Sequence, residues 1–185
     1  MRVVSGELGG RTILAPEGEE TRPTSERVRE AIFNMLFSLD AIDGARVLDG
    51  FAGSGALGIE ALSRGASHAT FVESRRDAVA TIRSNLESLG LAAVTQVIPG
   101  DAIAHLERAV SGAADYDLVL LDPPYGFDDW AALLALVPEG AVVVIESGRD
   151  VAVPSSWVIE RVKHYGSTVV TLATAGARSL PEEEQ

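Results

Sequence analysis

The sequence predicts an α/β fold of the Rossmann type, in which helices cover both faces of an open, mostly parallel sheet of seven strands. From residue 45 onward, short apolar stretches alternate with helical ones, as parallel sheets require. The first strand leads directly into a glycine-rich loop and a helix. The last two strand-like stretches flank Tyr165–Gly166, which is typical of a closing antiparallel hairpin. We expect residues 1–40 to form an extension of a main domain at residues 41–185.

The extension is predicted to contain a hairpin and a helix. Two short strands, Arg2–Ser5 and Arg11–Ala15, flank a glycine-rich turn. A helix then begins after Thr24 or Ser25, since both residue types are good N-caps. Apolar residues recur at helical spacing and predict one buried stripe: Val28, Ile32, Met35, Leu36 and Leu39.

The main domain is predicted to contain five strands, a closing hairpin and four helices. The strands are Ala45–Asp49, Ala69–Glu73, Val94–Pro99, Tyr116–Asp122 and Ala141–Glu146, followed by the hairpin strands Trp157–His164 and Ser167–Ala173. The helices are one that ends near Arg64, then Arg75–Leu89, Ala102–Ser111 and Trp130–Val137. Ligands of such sheets bind at the carboxyl ends of the strands, so we expect the functional residues to lie there.

The loop after the first strand is rich in glycine. Glycine lets the backbone approach a ligand closely and lets the next helix present free N–H groups. The stretch Gly53–Gly58 also matches the G-x-G-x-x-G pattern of dinucleotide sites. The loop therefore leaves a nicotinamide cofactor, S-adenosylmethionine and a tight turn without ligand as alternatives. Its candidate cofactor-binding residues are Asp49, Gly50, Phe51, Ala52, Gly53, Ser54 and Gly55.

Two acidic residues follow the next two strands at the same predicted edge. Glu73 ends the second strand, where a carboxylate accepts hydrogen bonds from both ribose hydroxyls of an adenosine. Asp101 follows the third strand and is suited either to accept a hydrogen bond from the adenine amino group or to cap the next helix. With Ser74 and Ala102 beside them, these residues extend the candidate cofactor site. They favour an adenosine ligand without choosing between the two cofactors.

The stretch Asp122-Pro-Pro-Tyr125 follows the fourth strand. Two prolines there have a structural explanation, since they stop a strand. They also leave the carbonyl of Pro123 facing outward without a competing N–H, because Pro124 has none. This carbonyl and the Asp122 carboxylate can accept the two hydrogens of an –NH2 group, while Tyr125 stacks on a base that has left its helix. We therefore predict that Asp122, Pro123, Pro124 and Tyr125 form a catalytic site for a base amine.

The glycine loop and this motif together resemble the amino-methyltransferases that carry an (Asn/Asp)-Pro-Pro-(Tyr/Phe) motif. More narrowly, nearly the whole chain resembles the RsmD family of bacterial 16S ribosomal RNA guanine-N2 methyltransferases. The narrow resemblance rests on Arg2–Gly6, Gly10–Arg11, Arg22–Asn34 and Phe51–Arg64. It implies a class I methyltransferase fold, S-adenosylmethionine as cofactor, and a guanine of 16S rRNA in the small ribosomal subunit or its precursor as substrate.

The resemblance also implies that the N-terminal hairpin contacts RNA. The residues given this substrate-binding role are Arg2, Gly10, Arg11, Arg22, Pro23, Thr24 and Arg27. Solubility and local ion pairing explain any one of these arginines taken alone, whereas RNA contact is favoured for the group.

Charge and composition restrict the partners. The net charge of −12 is unfavourable for binding bare RNA, and it is concentrated in residues 37–150, where seven arginines face seventeen acidic residues. A ribonucleoprotein particle relieves this conflict, since its proteins supply further contacts. The chain has no cysteine, its three histidines lack metal-ligand spacing, and no apolar run is long enough to span a membrane. We expect a cytoplasmic monomer without a metal.

Three alternatives remain at this stage. A nicotinamide oxidoreductase explains the glycine pattern and Glu73 but leaves Asp122–Tyr125 without a role. A methyltransferase acting on adenine N6 or on a protein glutamine shares the catalytic motif, although the chain has no room for a separate DNA-recognition domain. A non-catalytic RNA-binding factor would keep the hairpin but has no use for an intact Asp122–Tyr125 motif.

Overall fold

A computed structural model of the chain describes residues 1–16, 25–112 and 116–176. Seven strands form a single sheet: β1 (Arg46–Asp49), β2 (His68–Glu73), β3 (Thr95–Pro99), β4 (Leu118–Leu121), β5 (Val142–Ser147), β6 (Val158–Tyr165) and β7 (Thr168–Thr174). Their order in space is β3-β2-β1-β4-β5-β7-β6. The first five are parallel, and β7 runs antiparallel to both β5 and β6. The predicted mostly parallel sheet with a closing hairpin is confirmed.

Helices cover both faces of the sheet; the first precedes β1, and the others connect successive parallel strands. They are α1 (Glu26–Phe37), α2 (Ala56–Ser63), α3 (Arg76–Leu89), α4 (Ala102–Gly112) and α5 (Trp130–Ala135), with an unpredicted 3-10 turn at Ala92–Val94. Alternate strand residues supply two cores, as a sheet buried on both faces requires. Phe71 and Leu120 pack on the side of α1, α2 and α3, whereas Leu48 and Val119 pack on the side of α4 and α5. In the part of the chain that is described, no helix combines the length and the apolar character needed to cross a membrane.

Helix α1 begins as predicted but ends earlier. The hydroxyl of Ser25 accepts a hydrogen bond from the N–H of Val28 at 3.2 Å, which caps the first turn. After Phe37 the chain leaves the helix, because Asp40 adopts a left-handed φ of 53° and the Ala41 N–H bonds the Leu36 carbonyl at 3.2 Å. The prediction that Leu39 extends the buried stripe is therefore wrong, and 36% of this residue is exposed.

The predicted N-terminal hairpin is present as a pairing but not as two full strands. A single bridge joins Arg2 to Thr12, and the N–H of Val3 donates to the carbonyl of Arg11 at 2.9 Å. The strands stay short because the N–H groups of Val4 and Ser5 donate to a side chain of α2 instead of to the opposite strand. The predicted extents of these two strands are therefore wrong.

The hairpin packs closely on α2. Gly6 has a left-handed φ of 83°, and a Cβ there would lie 1.9 Å from the carbonyl oxygen of Ser63. Val3 and Ile13 are buried in the same core as the helices on that face of the sheet. The hairpin and the helices on that face of the sheet therefore share one core.

Candidate active site

Acidic side chains mark the carboxyl edge of the sheet. Asp49, Glu73 and Glu146 lie at the ends of β1, β2 and β5, Asp122 directly follows β4, and Asp101 comes two residues after β3. Each parallel strand therefore delivers one carboxylate to this edge, where ligands of open α/β sheets bind. We call these five residues the acidic row.

Asp49 is the most buried member of the acidic row, with 1% of its surface exposed. Burial raises the pKa of its carboxyl to about 7, and the nearby charges of Asp122 and Glu73 act in the same direction. The N–H of Gly58 opposes this rise by donating to Oδ2 of Asp49 at 2.9 Å. At neutral pH, this carboxyl is poised to ionise when a cation approaches.

The packing around Gly58 explains why the loop matches the dinucleotide-binding pattern. A Cβ at this position would lie 2.4 Å from Cε1 of Phe71, which is on the neighbouring strand β2. The third glycine of the pattern is therefore required for packing α2 against the sheet, whichever ligand the loop holds. The pattern does not by itself indicate a nicotinamide cofactor.

Glu73 and Asp101 both bond the protein backbone. Oε2 of Glu73 accepts from the N–H of Gly53 at 2.8 Å, and Oε1 accepts from the N–H of Arg75 at 2.8 Å. Glu73 therefore fixes the glycine loop from β2. Oδ1 of Asp101 accepts from the N–H of Ala104 at 2.9 Å, which makes it the N-cap of α4. Because a carboxylate has about four acceptor positions, each of the two keeps capacity for a ligand.

A cavity of about 210 Å³ lies between the glycine loop and the acidic row, and we call it the first cavity. Its wall includes most of the predicted cofactor residues: Asp49, Gly50, Phe51, Ala52, Ser54, Glu73, Ser74, Asp101 and Ala102. Gly53 and Gly55 do not line it; they take left-handed φ values of 53° and 80° and shape the loop behind it. Carboxylates at the polar positions and apolar side chains such as Leu57 and Val72 suit an elongated cationic ligand with a flat aromatic part.

A second cavity of about 260 Å³ lies on the other side of the Asp122–Tyr125 motif. Its wall also includes Ser25 and Val28 at the start of α1, Glu146 from β5, and Trp130 from α5. All four residues of the motif line both cavities. The motif therefore forms the boundary across which a group could pass from one bound molecule to another.

The motif is held by turns and ring contacts. The Pro124 carbonyl accepts from the N–H of Phe127 at 3.1 Å, whereas the Pro123 carbonyl accepts no hydrogen bond from any residue within the described ranges. The Tyr125 ring is 67% exposed and lies against the backbone of Gly148, where a Cβ would be 3.1 Å from the ring. An exposed ring beside an open cavity is suited to stack on a planar ligand.

Sequence reasoning missed a buried ion pair that joins the hairpin to the site. Arg29 and Glu60 are 1% and 0% exposed, with Nε of Arg29 3.5 Å from Glu60. Glu60 also accepts from the N–H groups of Val4 at 2.7 Å and Ser5 at 3.0 Å, while Arg29 donates to the Arg2 carbonyl. Burial lowers the pKa of Arg29, and the Glu60 charge opposes that change. Arg29 lines the first cavity, so this pair links the N-terminal segment to that cavity.

The predicted RNA-contacting residues are divided between two edges of the molecule. Arg27 is exposed in the first turn of α1, next to the residues of that turn that line the second cavity. Arg2 is exposed nearby and lies 3.5 Å from Glu26. Arg11 donates to the Ser88 carbonyl near the end of α3, at the opposite edge of the sheet, and Gly10 belongs to the same turn.

Three further predicted contacts, Arg22, Pro23 and Thr24, lie outside the described residues. Among the residues that are described, no group of three or more His, Cys, Asp or Glu side chains is arranged to hold a metal ion.

The strand order 3-2-1-4-5-7-6, with the last strand of the sequence inserted antiparallel between β5 and β6, defines a class I methyltransferase fold. The chain belongs, more particularly, to the RsmD family, whose model bears the description "Conserved hypothetical protein 95" and matches residues 1–174.

Relatives cover almost the whole chain. The protein YlbH of Bacillus subtilis is 41% identical over 181 residues, which are 93% of this chain and 97% of that protein. Ribosomal RNA small subunit methyltransferase D of Escherichia coli is 34% identical over 182 residues, covering 93% of this chain and 88% of that protein. The solved structure of the Escherichia coli protein YhhF superposes with a TM-score of 0.81 at 33% identity, over 96% of this chain and 98% of the other.

Proposed function

We propose that this protein transfers a methyl group from S-adenosylmethionine to the exocyclic N2 amine of a guanine in 16S rRNA. The observation that carries the proposal is that Asp122–Tyr125 lines two cavities at once, one suited to the cofactor and one to a base. Relatives named as small-subunit rRNA methyltransferases support the choice of substrate. Neither a redox enzyme nor a passive RNA-binding protein requires such a boundary.

The first cavity would hold the cofactor, which supplies an activated methyl group when bound. Asp49, with its carboxyl poised to ionise, would pair with the cationic methionine end. Glu73 would accept from the ribose hydroxyls and Asp101 from the adenine amine, while both keep their backbone bonds. The donor set therefore fits S-adenosylmethionine, in which every one of these positions carries a positive charge or an N–H or O–H donor.

The second cavity would hold the guanine after it has flipped out of its helix. Tyr125 stacks on the base plane, and the Asp122 carboxylate and Pro123 carbonyl accept the two N–H bonds of N2. These bonds orient the nitrogen lone pair towards the first cavity, so that alignment supplies most of the rate. The methylated nitrogen carries a positive charge and loses its proton readily, and Asp122 is placed to take that proton or to pass it to water.

The N-terminal segment would contact RNA around the target. Arg2 and Arg27 flank the second cavity from the side of α1, and the acidic remainder of the surface disfavours bare RNA. A small ribosomal subunit or its precursor is the substrate that fits both the arginines beside the second cavity and the acidic remainder of the surface. The protein would act on this particle in the cytoplasm, as a monomer. The proteins of the particle offer contacts that do not depend on neutralising phosphates.

The test uses methyl-labelled S-adenosylmethionine and small ribosomal subunits from cells that lack the endogenous enzyme, with naked 16S rRNA in parallel. The RNA is digested and its nucleosides are separated. We expect label in N2-methylguanosine, and more of it from the particle than from naked rRNA. Label in N6-methyladenosine or in protein would overturn the assignment of the target, and absence of label despite cofactor binding would overturn the assignment of rRNA.

A further inference from the structure

Glu146 is a member of the acidic row that the proposed reaction leaves without a role. It lies near the end of β5, is 8% exposed, and lines the second cavity but not the first. Its position lies beside the base proposed for the second cavity and outside the cavity proposed for the cofactor. A role in recognising the base fits this position.

The register of the sheet sets Glu146 beside Asp122. In the parallel pair of β4 and β5, the last paired residues are Leu121 and Ile145, and Asp122 and Glu146 directly follow them in the chain. Neighbouring strands are about 4.8 Å apart, and residues at one level face the same side of a sheet. The carboxylates of Asp122 and Glu146 therefore come from neighbouring strands and both line the second cavity.

Two adjacent acceptors match the Watson–Crick edge of guanine. That edge presents N1–H next to the N2 amine, whereas adenine presents an N1 lone pair, which a carboxylate repels. An ionised carboxylate only accepts hydrogen bonds and has about four positions for them. Glu146 can therefore accept a base N–H in addition to contacts within the protein.

We propose that Glu146 selects guanine by accepting its N1–H while Asp122 and Pro123 hold N2. This inference rests on the proposed function, because it assumes that a flipped guanine occupies the second cavity. It assigns discrimination to β5 and methyl transfer to the motif after β4. Glu146 is thus a specificity-determining residue, and its loss changes which base is accepted more than how the cofactor binds.

The test compares guanine with 2-aminopurine, which has the same exocyclic amine but an N1 acceptor in place of N1–H. The guanine labelled by the wild-type protein is located first, and particles are then reconstituted with RNA that carries 2-aminopurine at that position. The wild-type protein should prefer guanine on the order of 100-fold in kcat/KM, as a lost hydrogen bond beside a repelled lone pair implies. Glu146→Gln should narrow this preference at least tenfold, since the glutamine amide can donate to N1 of 2-aminopurine.

Two controls separate this inference from the proposed function. Glu87→Gln, an exposed position on α3, should keep the wild-type preference. Cofactor affinity should be equal in all three proteins, which also shows that the variants are folded. If the wild-type protein labels no guanine, the proposed function fails; if it labels guanine and Glu146→Gln keeps the full preference, only the role of Glu146 is wrong.

Discussion

Asp49 shows how one residue couples the fold to the ligand. Its pKa of about 7 lies above the ordinary value of 3.8, so the folded chain holds a proton that the unfolded chain has lost between these pH values. Stability therefore falls as pH rises from about 4 to 7, because the folded state binds more protons than the unfolded state. A cation bound in the first cavity opposes this loss of stability, because it favours the ionised carboxylate of Asp49.

The affinity for S-adenosylmethionine should consequently depend on pH through Asp49. Between pH 5.5 and 7.0 we expect the Kd to fall roughly tenfold, as ionisation of a group with a pKa near 7 becomes less costly. Asp49→Asn should bind more weakly and lose most of this pH dependence. Equilibrium dialysis with labelled cofactor measures both quantities, and an unchanged pH profile in Asp49→Asn would assign the effect to another group.

Some residues of the candidate site were predictable from the sequence, and others were not. It placed Asp49, Glu73 and Asp122 at the strand ends, where the structure has them. Glu146 carries the same signal, an acid at the end of a predicted strand, but no surrounding motif indicates a function for it. Arg29 lies on the buried face of α1 beside Val28, yet a charged residue on an apolar stripe cannot be assigned a partner without the fold.

At the scale of elements, the contact between α2 and β2 depends on Gly58. Replacing a helical glycine by alanine ordinarily stabilises a protein. Here the added Cβ would meet the Phe71 ring at 2.4 Å, and this overlap with a buried side chain dominates. We expect Gly58→Ala to lower the free energy of unfolding by about 1–3 kcal/mol, measured by urea denaturation. A stabilised variant would show that Phe71 relaxes without cost.

The ion pair of Arg29 and Glu60 joins the hairpin, α1 and α2. Glu60→Ala leaves the Arg29 charge buried without its counter-ion, and it also removes the acceptor for two hairpin N–H groups. We expect a loss of about 3–5 kcal/mol in the free energy of unfolding. Asp77→Ala is the matched control, since its pair with Arg75 is exposed and involves neither Arg29 nor the hairpin, so it should lower the free energy of unfolding far less. Equal losses in the two variants would contradict the structural role of Glu60.

Element boundaries were predictable to the extent that local signals set them. The Ser25 cap and the strand ends follow from residue type and apolar runs, and they lie within a few residues of their predicted positions. The extents of the two hairpin strands were not predictable in this way. The N–H groups of Val4 and Ser5 donate to the side chain of Glu60, which is 55 or more residues away in the sequence. Such long-range competition leaves no local trace in the sequence.

At the scale of the whole molecule, charge and the placement of arginines decide how RNA approaches. Arg27 lies at the edge that carries both cavities, and Arg11 lies at the opposite edge. We expect Arg27→Ala to raise the KM for the particle several-fold. The slope of log affinity against log salt concentration should also become shallower, by the amount that one phosphate contact contributes. Arg11→Ala should change KM less, and steady-state methylation at several salt concentrations compares the two. A larger effect at Arg11 would place the RNA path on the other edge.

The central claim is that Asp122–Tyr125 separates a cofactor cavity from a base cavity and acts on the base. Single-turnover methyl transfer by Asp122→Ala, with cofactor affinity measured on the same preparation, tests it most directly. We predict that transfer to the particle falls by at least 100-fold, since a positioned acceptor of the reacting amine is lost. The Kd for S-adenosylmethionine should change less than about threefold, because Asp122 contributes little to holding the cofactor compared with Asp49 and Glu73. Transfer near the wild-type rate, or a loss explained entirely by weaker cofactor binding, would contradict this account.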